Sequence, residues 1–341
     1  CGAQKYAALF AVRESFMTPT RRSLIAATLA APAILRFGLN SAQAATTLKL
    51  SHQFPGGTID EGDFRDRMCR KFAKMVGERS KGALDVQVYP GSSLMKTNAQ
   101  FGAMRKGALD MSLYPSPYAG GEIPELNIGL MPALVTSYAQ AVAWKAAPVG
   151  RKLTEILDAK GIILVSWVWQ AGGIASRERP LLTPEDAKGM KVRGGSREMD
   201  LMMKQAGAAT LSLPSNESYA AMQTGACDAV ITSSTSLISF RLEELSKALT
   251  SGRERSYWFM LEPIMMSKIV FSGLPKEQQE RLYKAAAQAK ATRKWTPNPG
   301  PQTQAYFCKA DLLLYGGEPG GGKSQLCLGL AFNEHQRTLI M

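Results

Sequence analysis

The sequence predicts an α/β protein made of two similarly built lobes, and three observations support this. Strand-like and helix-like periodicity alternates from Thr46 onwards, which favours largely parallel sheets flanked by helices. The form AMxxGAxD occurs twice, at residues 103–110 and 221–228, which indicates a repeated unit. The chain has 341 residues, of which 45% are hydrophobic and 20% charged, typical of a soluble globular protein with room for about two domains.

The N-terminal region has the three parts of an export signal. Residues 17–44 contain the basic pair Arg21 and Arg22, an apolar stretch over 24–35, and a small-residue exit ending at Ala44. The surrounding TRRSLI is similar to a twin-arginine address. The apolar stretch is shorter than the about 20 residues that a spanning helix needs, so a permanent anchor is the weaker alternative. We expect cleavage after about Ala44 and a location outside the cytoplasm.

The elements that follow can be placed from their periodicity. A strand over 46–52 precedes a helix whose apolar stripe contains Phe64, Met68, Phe72 and then Met75 or Val76. The later segments are predicted as a strand over 84–90, a helix over 99–106, a strand over 109–115, one extended helix over 138–160 and one apolar strand over 161–170.

The two AMxxGAxD copies predict the same local structure. Each ends a helix, because Gly107 and Gly225 can adopt the left-handed conformation that stops a helix. The aspartate that follows each glycine, Asp110 or Asp228, is expected to open the next strand.

The net charge of +13 does not predict nucleic-acid binding by the main domain. Residues 1–44 carry +4 and residues 290–341 carry +3, which leaves +6 for the part between them. That part has no dense run of Lys and Arg with interleaved aromatic residues, the pattern of a nucleic-acid surface.

The cysteines and histidines predict neither a metal site nor a cofactor nor a catalytic centre. No CxxC occurs, and His52 is far from His335. With His52 as the one histidine of the middle and no GxSxG, a Ser-His-Asp arrangement is excluded. A bridge between Cys69 and Cys227 would need Cα atoms within about 7 Å, and buried free thiols are the favoured interpretation.

An ordered set of motifs resembles one protein family. The segments LTPEDAKGMKVR (182–193), LPSNESYAAMQTGACDAV (213–230) and LPKEQQERLYKAA (274–286), with FPGG and YPGSSL earlier, are similar to the substrate-binding proteins of TRAP transporters, of the DctP type. The resemblance covers about residues 46–290.

This resemblance implies a fold and a function. It implies a periplasmic-binding-protein-like fold over 45–292, with two α/β lobes joined by hinge strands and a long helix. Lobe 1 is expected at about 45–135 and 230–270, and lobe 2 at about 140–229. It also implies a periplasmic receptor, not an enzyme, that closes around a small organic acid and delivers it to a membrane permease.

The expected ligand site centres on Arg193. In the family pattern GxKxR, present here as GMKVR, the arginine clamps the ligand carboxylate, and a guanidinium offers paired N–H donors that match both carboxylate oxygens. The other candidates lie at or near predicted strand ends, where open α/β sheets bind ligands. They are Phe54, Tyr114, Trp169, Gln170, Thr232 and Ser233.

The C-terminal region gives the alternative function. Residues 317–324 read GEPGGGKS, a phosphate loop in which Gly317, Gly322, Lys323 and Ser324 would hold a nucleotide. Residues 293–341 resemble the start of a phage terminase large subunit, which makes a P-loop ATPase fragment for DNA packaging the alternative. No later acidic strand follows, so we expect a vestigial loop in a chimeric chain. Residues 1–16, which precede Met17, are expected to be upstream translation.

Overall fold

The computed structural model describes residues 45–252 and 255–289, together with the backbone of Leu339–Ile340. The predictions on residues 1–44 lie outside the described residues. So do those on the phosphate loop, including Gly317, Gly322, Lys323 and Ser324. Within the described part, no helix combines the length and the apolar character needed to span a membrane.

The described chain alternates strands and helices, as predicted. The strands are β1 Thr46–His52, β2 Leu84–Tyr89, β3 Met111–Leu113, β4 Ile162–Leu164, β5 Trp169–Ser176, β6 Lys191–Arg193, β7 Ala209–Leu211, β8 Ala229–Ser233, β9 Ala248–Ser251, β10 Phe259–Leu261, β11 Ile264–Ser267 and β12 Leu339–Ile340. The α-helices are α1 Phe64–Arg79, α2 Thr97–Arg105, α3 Tyr138–Ala143, α4 Pro148–Ala159, α5 Arg197–Gln205, α6 Ser218–Gln223, α7 Ser234–Ser239, α8 Lys268–Gly273 and α9 Lys276–Ala289.

These strands form two sheets, and each sheet is the centre of one α/β lobe. The sheet of lobe 1 has the order β2-β1-β3-β11-β4, in which β1 is parallel to β2 and β3 while β11 is antiparallel to β3 and β4. The sheet of lobe 2 has the order β12-β9-β5-β8-β6-β7, with β10 paired to β5. There β6 is parallel to β7 and β8, and β5 is antiparallel to β8 and β9.

Between β1 and α9, the described chain passes from one sheet to the other at two short crossovers. Residues 165–168 lead from β4 to β5, and Glu262 with Pro263 leads from β10 back to β11. The crossovers are hydrogen-bonded to each other, because Val165 N donates to Ile264 O at 2.9 Å and Glu262 N donates to Val168 O at 2.8 Å. Paired crossover strands of this kind form the hinge between the lobes.

The sheets differ from the expected lobe boundaries. Residues 162–164 lie in the sheet of lobe 1, whereas residues 229–261 supply β8, β9 and β10 to the sheet of lobe 2. The single apolar strand predicted over 161–170 is therefore wrong, since β4 and β5 belong to different sheets. Both strands are buried, so residues 161–170 form one continuous apolar run in the sequence, although β4 and β5 pair with different strands.

The extended helix predicted over 138–160 is also wrong. It is two helices, α3 and α4, and the break precedes Pro148, where Ala147 is extended at ψ 160°. A proline lacks the N–H that would continue the helix and favours its first turn. A Cβ at Gly150 would collide with the carbonyl oxygen of Trp144, so glycine permits the tight connection.

The repeated AMxxGAxD motif has the same structure in both lobes, as predicted. Gly107 and Gly225 follow the ends of α2 and α6 with φ of +73° and +72°. The aspartate after each glycine precedes the next strand and accepts from the backbone of a parallel neighbour. Asp110 Oδ2 accepts from Lys49 N at 2.7 Å, and Asp228 Oδ2 accepts from Lys191 N at 2.8 Å.

Two features of the described core agree with the sequence. Met68, Phe72 and Val76 on α1 are buried, as the apolar stripe predicts. Cys69 and Cys227 are free and buried. Burial raises the pKa of both thiols, in Cys227 to about 11, which keeps them protonated and inert near neutral pH.

Candidate functional site

The candidate site lies where the carboxyl ends of several strands meet between the lobes. The ends of β1 and β3 supply Phe54 and Tyr114 from lobe 1, and the ends of β6 and β8 supply Arg193 and Ser233 from lobe 2. The start of β5 adds Trp169 immediately after the first crossover. Open α/β sheets bind ligands at such strand ends.

Arg193 is the most strongly held of the predicted residues. Its side chain is buried, with 2% of the residue exposed. Nε donates to Leu213 O at 2.9 Å, Nη1 donates to Ile231 O at 2.7 Å, and Nη2 donates to the Tyr118 hydroxyl at 2.8 Å. Gly195 lies directly beneath the guanidinium, at φ +88°, where a Cβ would be 2.7 Å from Nη1. A side chain there would displace the arginine.

Arg193 forms no ion pair or hydrogen bond with a carboxylate among the described residues. Its three hydrogen-bond acceptors are two carbonyls and a hydroxyl, all uncharged. Asp200 and Glu262 interact with the arginine only electrostatically and at longer range, and burial raises the pKa of both carboxyls. A buried charge is costly to a folded protein unless it is paired.

A cavity of about 420 Å³ lies beside residues that contact this guanidinium, although neither Arg193 nor any other predicted ligand residue lines the cavity. Tyr118, Gly195 and Leu213, which contact Arg193, form part of its wall. Both lobes contribute polar groups to the rest, including Asn98 and Asn127 from lobe 1 and Ser196, Asp200 and Lys204 from lobe 2.

The structure brings two of the predicted residues together at a second arginine. Phe54 is fully buried, and its ring centroid lies 3.6 Å from Cζ of Arg65. The Ser233 hydroxyl contacts Arg65 Nη1 at 3.3 Å and the Ser236 hydroxyl at 2.8 Å.

The remaining predicted residues are buried around the crossovers. Tyr114 packs edge-on against Tyr118, with centroids 6.0 Å apart, and burial raises the pKa of its hydroxyl. Trp169 packs against Trp144, and Gln170 Oε1 accepts from Thr235 at 3.3 Å. The indole Nε1 of Trp169 and the hydroxyl of Thr232 are buried without a described hydrogen-bond partner.

Arg65 is the main charged residue that the sequence analysis missed. It belongs to the first turn of α1, where nothing in the sequence distinguishes it from a solvated arginine. Its Nε and Nη2 donate to the two carboxylate oxygens of Asp63, at 3.0 and 2.7 Å. Its Nη1 reaches Ser233 and Ser236 in lobe 2, and lies 3.4 Å from Glu262 Oε2 in the second crossover. Arg65 therefore joins both lobes and the hinge.

The two acids of this cluster differ in their pKa. Burial raises the pKa of Glu262 to about 7, although Arg65 lowers it in part. Burial also acts to raise the pKa of Asp63, but the charge and the two hydrogen bonds of Arg65 outweigh it, so the pKa is lowered. The bidentate geometry explains why Asp63 is the principal partner of Arg65.

A family comparison agrees with this architecture. A model described as "Bacterial extracellular solute-binding protein, family 7", the DctP family, matches residues 58–298. The chain belongs to this family. The DctP match and the relatives make it a TRAP-type solute-binding protein, not an enzyme. The family match ends at residue 298, before the phosphate loop at 317–324.

Individual relatives of this DctP chain are similar in sequence and in structure. A solute-binding protein of Albidiferax ferrireducens is 66% identical, over 76% of this chain and 76% of the relative. The 2,3-diketo-L-gulonate-binding periplasmic protein YiaO of Escherichia coli is 28% identical, over 73% and 74%. A crystal structure of a TRAP periplasmic solute-binding protein from Rhodoferax ferrireducens, with bound malonate, is 68% identical with a TM-score of 0.70. It covers 71% of this chain and 77% of that one.

A further solved structure is more distant. A TRAP periplasmic solute-binding protein from Sulfurospirillum deleyianum, with bound succinate, is 25% identical with a TM-score of 0.63, over 71% of this chain and 76% of that chain.

Proposed function

We propose that this protein binds a small organic acid by its carboxylate, in the cleft between the lobes, and delivers it to the membrane subunits of a TRAP transporter. The protein would act in the periplasm, after removal of residues 17–44 as a signal peptide. The observation that carries the proposal is the buried guanidinium of Arg193, which pairs with no described carboxylate.

The geometry of Arg193 supports a carboxylate as the ligand. A guanidinium has five N–H donors, and the contacts with Leu213, Ile231 and Tyr118 use three of them. Two donors therefore remain for a ligand, one on each terminal nitrogen. A carboxylate held there would neutralise the buried charge and accept charge-assisted hydrogen bonds, which are the stronger kind.

Two relatives support a short dicarboxylate as the proposed ligand. Relatives crystallised with malonate and succinate contain two-carboxylate acids of three and four carbons. Trp169 Nε1 and the Thr232 hydroxyl, buried without partners, are proposed as further donors to the ligand. Phe54, Tyr114, Gln170 and Ser233 are proposed to shape the wall of the cleft.

A thermal-melt panel tests the proposal. The purified chain is mixed with malonate, succinate, monocarboxylates, 2-oxo acids and sugar acids. A ligand at about 100 times its Kd should add roughly 2.7 kcal/mol to the unfolding free energy, and raise the melting temperature by several degrees. An absence of any shift across the panel would contradict the proposed function.

The site assignment is tested by Arg193→Lys. A lysine keeps the charge but loses the planar pair of donors, so we expect the affinity to fall by about 10- to 100-fold in calorimetry. Arg241→Lys is the matched control, because Arg241 is exposed and pairs with Glu244 at the surface. Equal affinities of the Arg193→Lys and Arg241→Lys proteins would show that the carboxylate binds elsewhere.

A further inference from the structure

Tyr118 is the residue of lobe 1 that contacts Arg193, and neither the motifs nor the predicted site includes it. It lies in the short 3-10 helix Ser116–Ala119, which follows β3. Pro115 and Pro117 both precede it, and its own N–H donates to Pro115 O at 3.1 Å. A Cβ at the following Gly120 would collide with the Asn127 side chain, so this turn packs closely on its own lobe. The ring of Tyr118 also packs on Tyr114 at the end of β3, which ties the tyrosine to lobe 1.

The hydroxyl of Tyr118 bonds only to groups of lobe 2 among the described residues. It accepts from Arg193 Nη2 at 2.8 Å and from Ser215 N at 2.9 Å, and it donates to Ser215 Oγ at 3.3 Å. This one hydroxyl therefore makes three hydrogen bonds across the cleft. The Tyr118 ring also faces the cation, with Arg193 Cζ 5.9 Å from the ring centroid.

The other two bonds of Arg193 stay within lobe 2. Ile231 belongs to β8, which is the parallel neighbour of β6, and Leu213 follows β7, the neighbour on the other side. Movement of the lobes leaves these two bonds in place. The bond with Tyr118 is different, because it exists only when the lobes are together.

A second contact across the cleft lies beside the first. The Thr97 hydroxyl, at the start of α2, lies 3.3 Å from Asn216 Oδ1 and 2.9 Å from the Ser92 hydroxyl. Residues 213–216 of lobe 2 therefore connect Arg193, Tyr118 and Thr97. Closure of the cleft and the orientation of the arginine are set by the same short segment.

We propose that Tyr118 is a positioning residue, which couples closure of the lobes to the rate at which the ligand dissociates from Arg193. This inference rests on the proposed function of Arg193. In the open state the guanidinium has two fixed bonds and can receive a carboxylate. In the closed state the Tyr118 hydroxyl accepts a third hydrogen bond from the guanidinium, at Nη2. The carboxylate can then leave only after the bond between Tyr118 and Arg193 breaks. Tyr118 acts on release of the ligand and not on its capture.

The test is the binding kinetics of Tyr118→Phe with malonate as the probe, and succinate as a second probe. We expect the dissociation rate to rise about tenfold, and the association rate to change by less than about twofold. The phenyl ring keeps the packing against Tyr114, so the melting temperature without ligand should stay near that of the unchanged protein. Tyr219→Phe is the matched control, because the Tyr219 hydroxyl bonds Glu244 on the surface of lobe 2.

A double-mutant cycle separates positioning from a general structural role. In the Arg193→Lys background, Tyr118→Phe should change the affinity by less than about twofold, because the guanidinium that Tyr118 positions is already absent. Equal dissociation rates for the Tyr118→Phe and Tyr219→Phe proteins, or an undiminished effect in the Arg193→Lys background, would overturn the inference. Unchanged affinity in Arg193→Lys alone, or no binding of either probe, would instead overturn the proposed function.

Discussion

Two buried arginines lie between the lobes among the described residues, and they differ in what neutralises them. Arg65 pairs with both oxygens of Asp63 and lies near Glu262, so its charge is balanced by the chain itself. Arg193 has only uncharged acceptors among the described residues. Both are almost fully buried, at 0% and 2% exposure. Burial alone therefore does not distinguish the two arginines, whereas their hydrogen-bond acceptors do.

This difference predicts opposite behaviour when each arginine is replaced by methionine. Arg65→Met leaves Asp63 and Glu262 buried without their cation, so the unfolding free energy should fall by about 3–5 kcal/mol. Arg193→Met removes an unbalanced charge and leaves two carbonyls unpaired, which should cost about 1–2 kcal/mol. Urea unfolding at pH 7 without ligand measures both. An equal loss of stability in the two variants would contradict the distinction.

The pH dependence of stability sharpens the description of the Arg65 cluster. The folded-state pKa of Glu262 is about 7, above its ordinary value, so the folded protein holds this proton more tightly than the unfolded chain. Glu262 therefore destabilises the fold progressively as the pH rises from about 4.5 through 7. The facing charges are Arg65 and Asp63, with Arg193 acting at longer range.

Glu262→Gln should remove this slope. The variant and the unchanged protein should be similarly stable near pH 4.5, and the variant more stable at pH 8 by up to roughly 3 kcal/mol. Glu125→Gln is the control, since Glu125 is exposed. Parallel stability curves of the Glu262→Gln and unchanged proteins between pH 4.5 and 8 would show that Glu262 is ionised throughout.

The smallest expected effect concerns the aromatic ring beneath Arg65. Phe54→Leu removes a ring centred 3.6 Å from the Arg65 Cζ, and should cost about 1–2 kcal/mol more than Phe101→Leu. Phe101 is equally buried in lobe 1 but packs on Tyr114 instead of a cation. Urea unfolding gives the difference. If Phe54→Leu leaves stability at the Phe101→Leu level but weakens ligand binding, Phe54 belongs to the ligand wall instead.

Local structure was predictable wherever backbone chemistry decides it. The glycines of the repeated AMxxGAxD motif stop α2 and α6 with positive φ, as expected, because only glycine adopts that conformation cheaply. The apolar stripe of α1 is buried, because its spacing matches the helical period. Pro148 breaks the helix predicted over 138–160. This break is also a local effect, because a proline has no N–H with which to continue a helix.

Long-range pairing was not predictable in the same way. Residues 230–261 were assigned to lobe 1, whereas β8, β9 and β10 lie in the sheet of lobe 2. The apolar run over 161–170 gave no indication that it crosses from one sheet to the other. A strand's periodicity reports which of its faces are buried, and does not report which strand lies beside it.

The candidate site shows the same division. Arg193 was predicted from a family resemblance and from the fit of a guanidinium to a carboxylate, and its function remains a proposal. Arg65, Glu262 and Tyr118 were missed, because each acquires its partners from residues distant in the chain: Ser233 is 168 positions from Arg65, and Tyr118 is 75 from Arg193. The spacing of residues along the chain does not show which distant residues are in contact in the fold.

By itself, the sequence determined the α/β class, the helix stops at Gly107 and Gly225, and the DctP family, because these depend on local conformation and on ordered motifs. Only the tertiary structure decided which strands share a sheet, where the hinge crosses, and which buried arginine is left without a counter-charge. The physical reason is that the electrostatic state of a buried group depends on every charge within a few ångströms. Folding, and not proximity along the chain, brings those charges together.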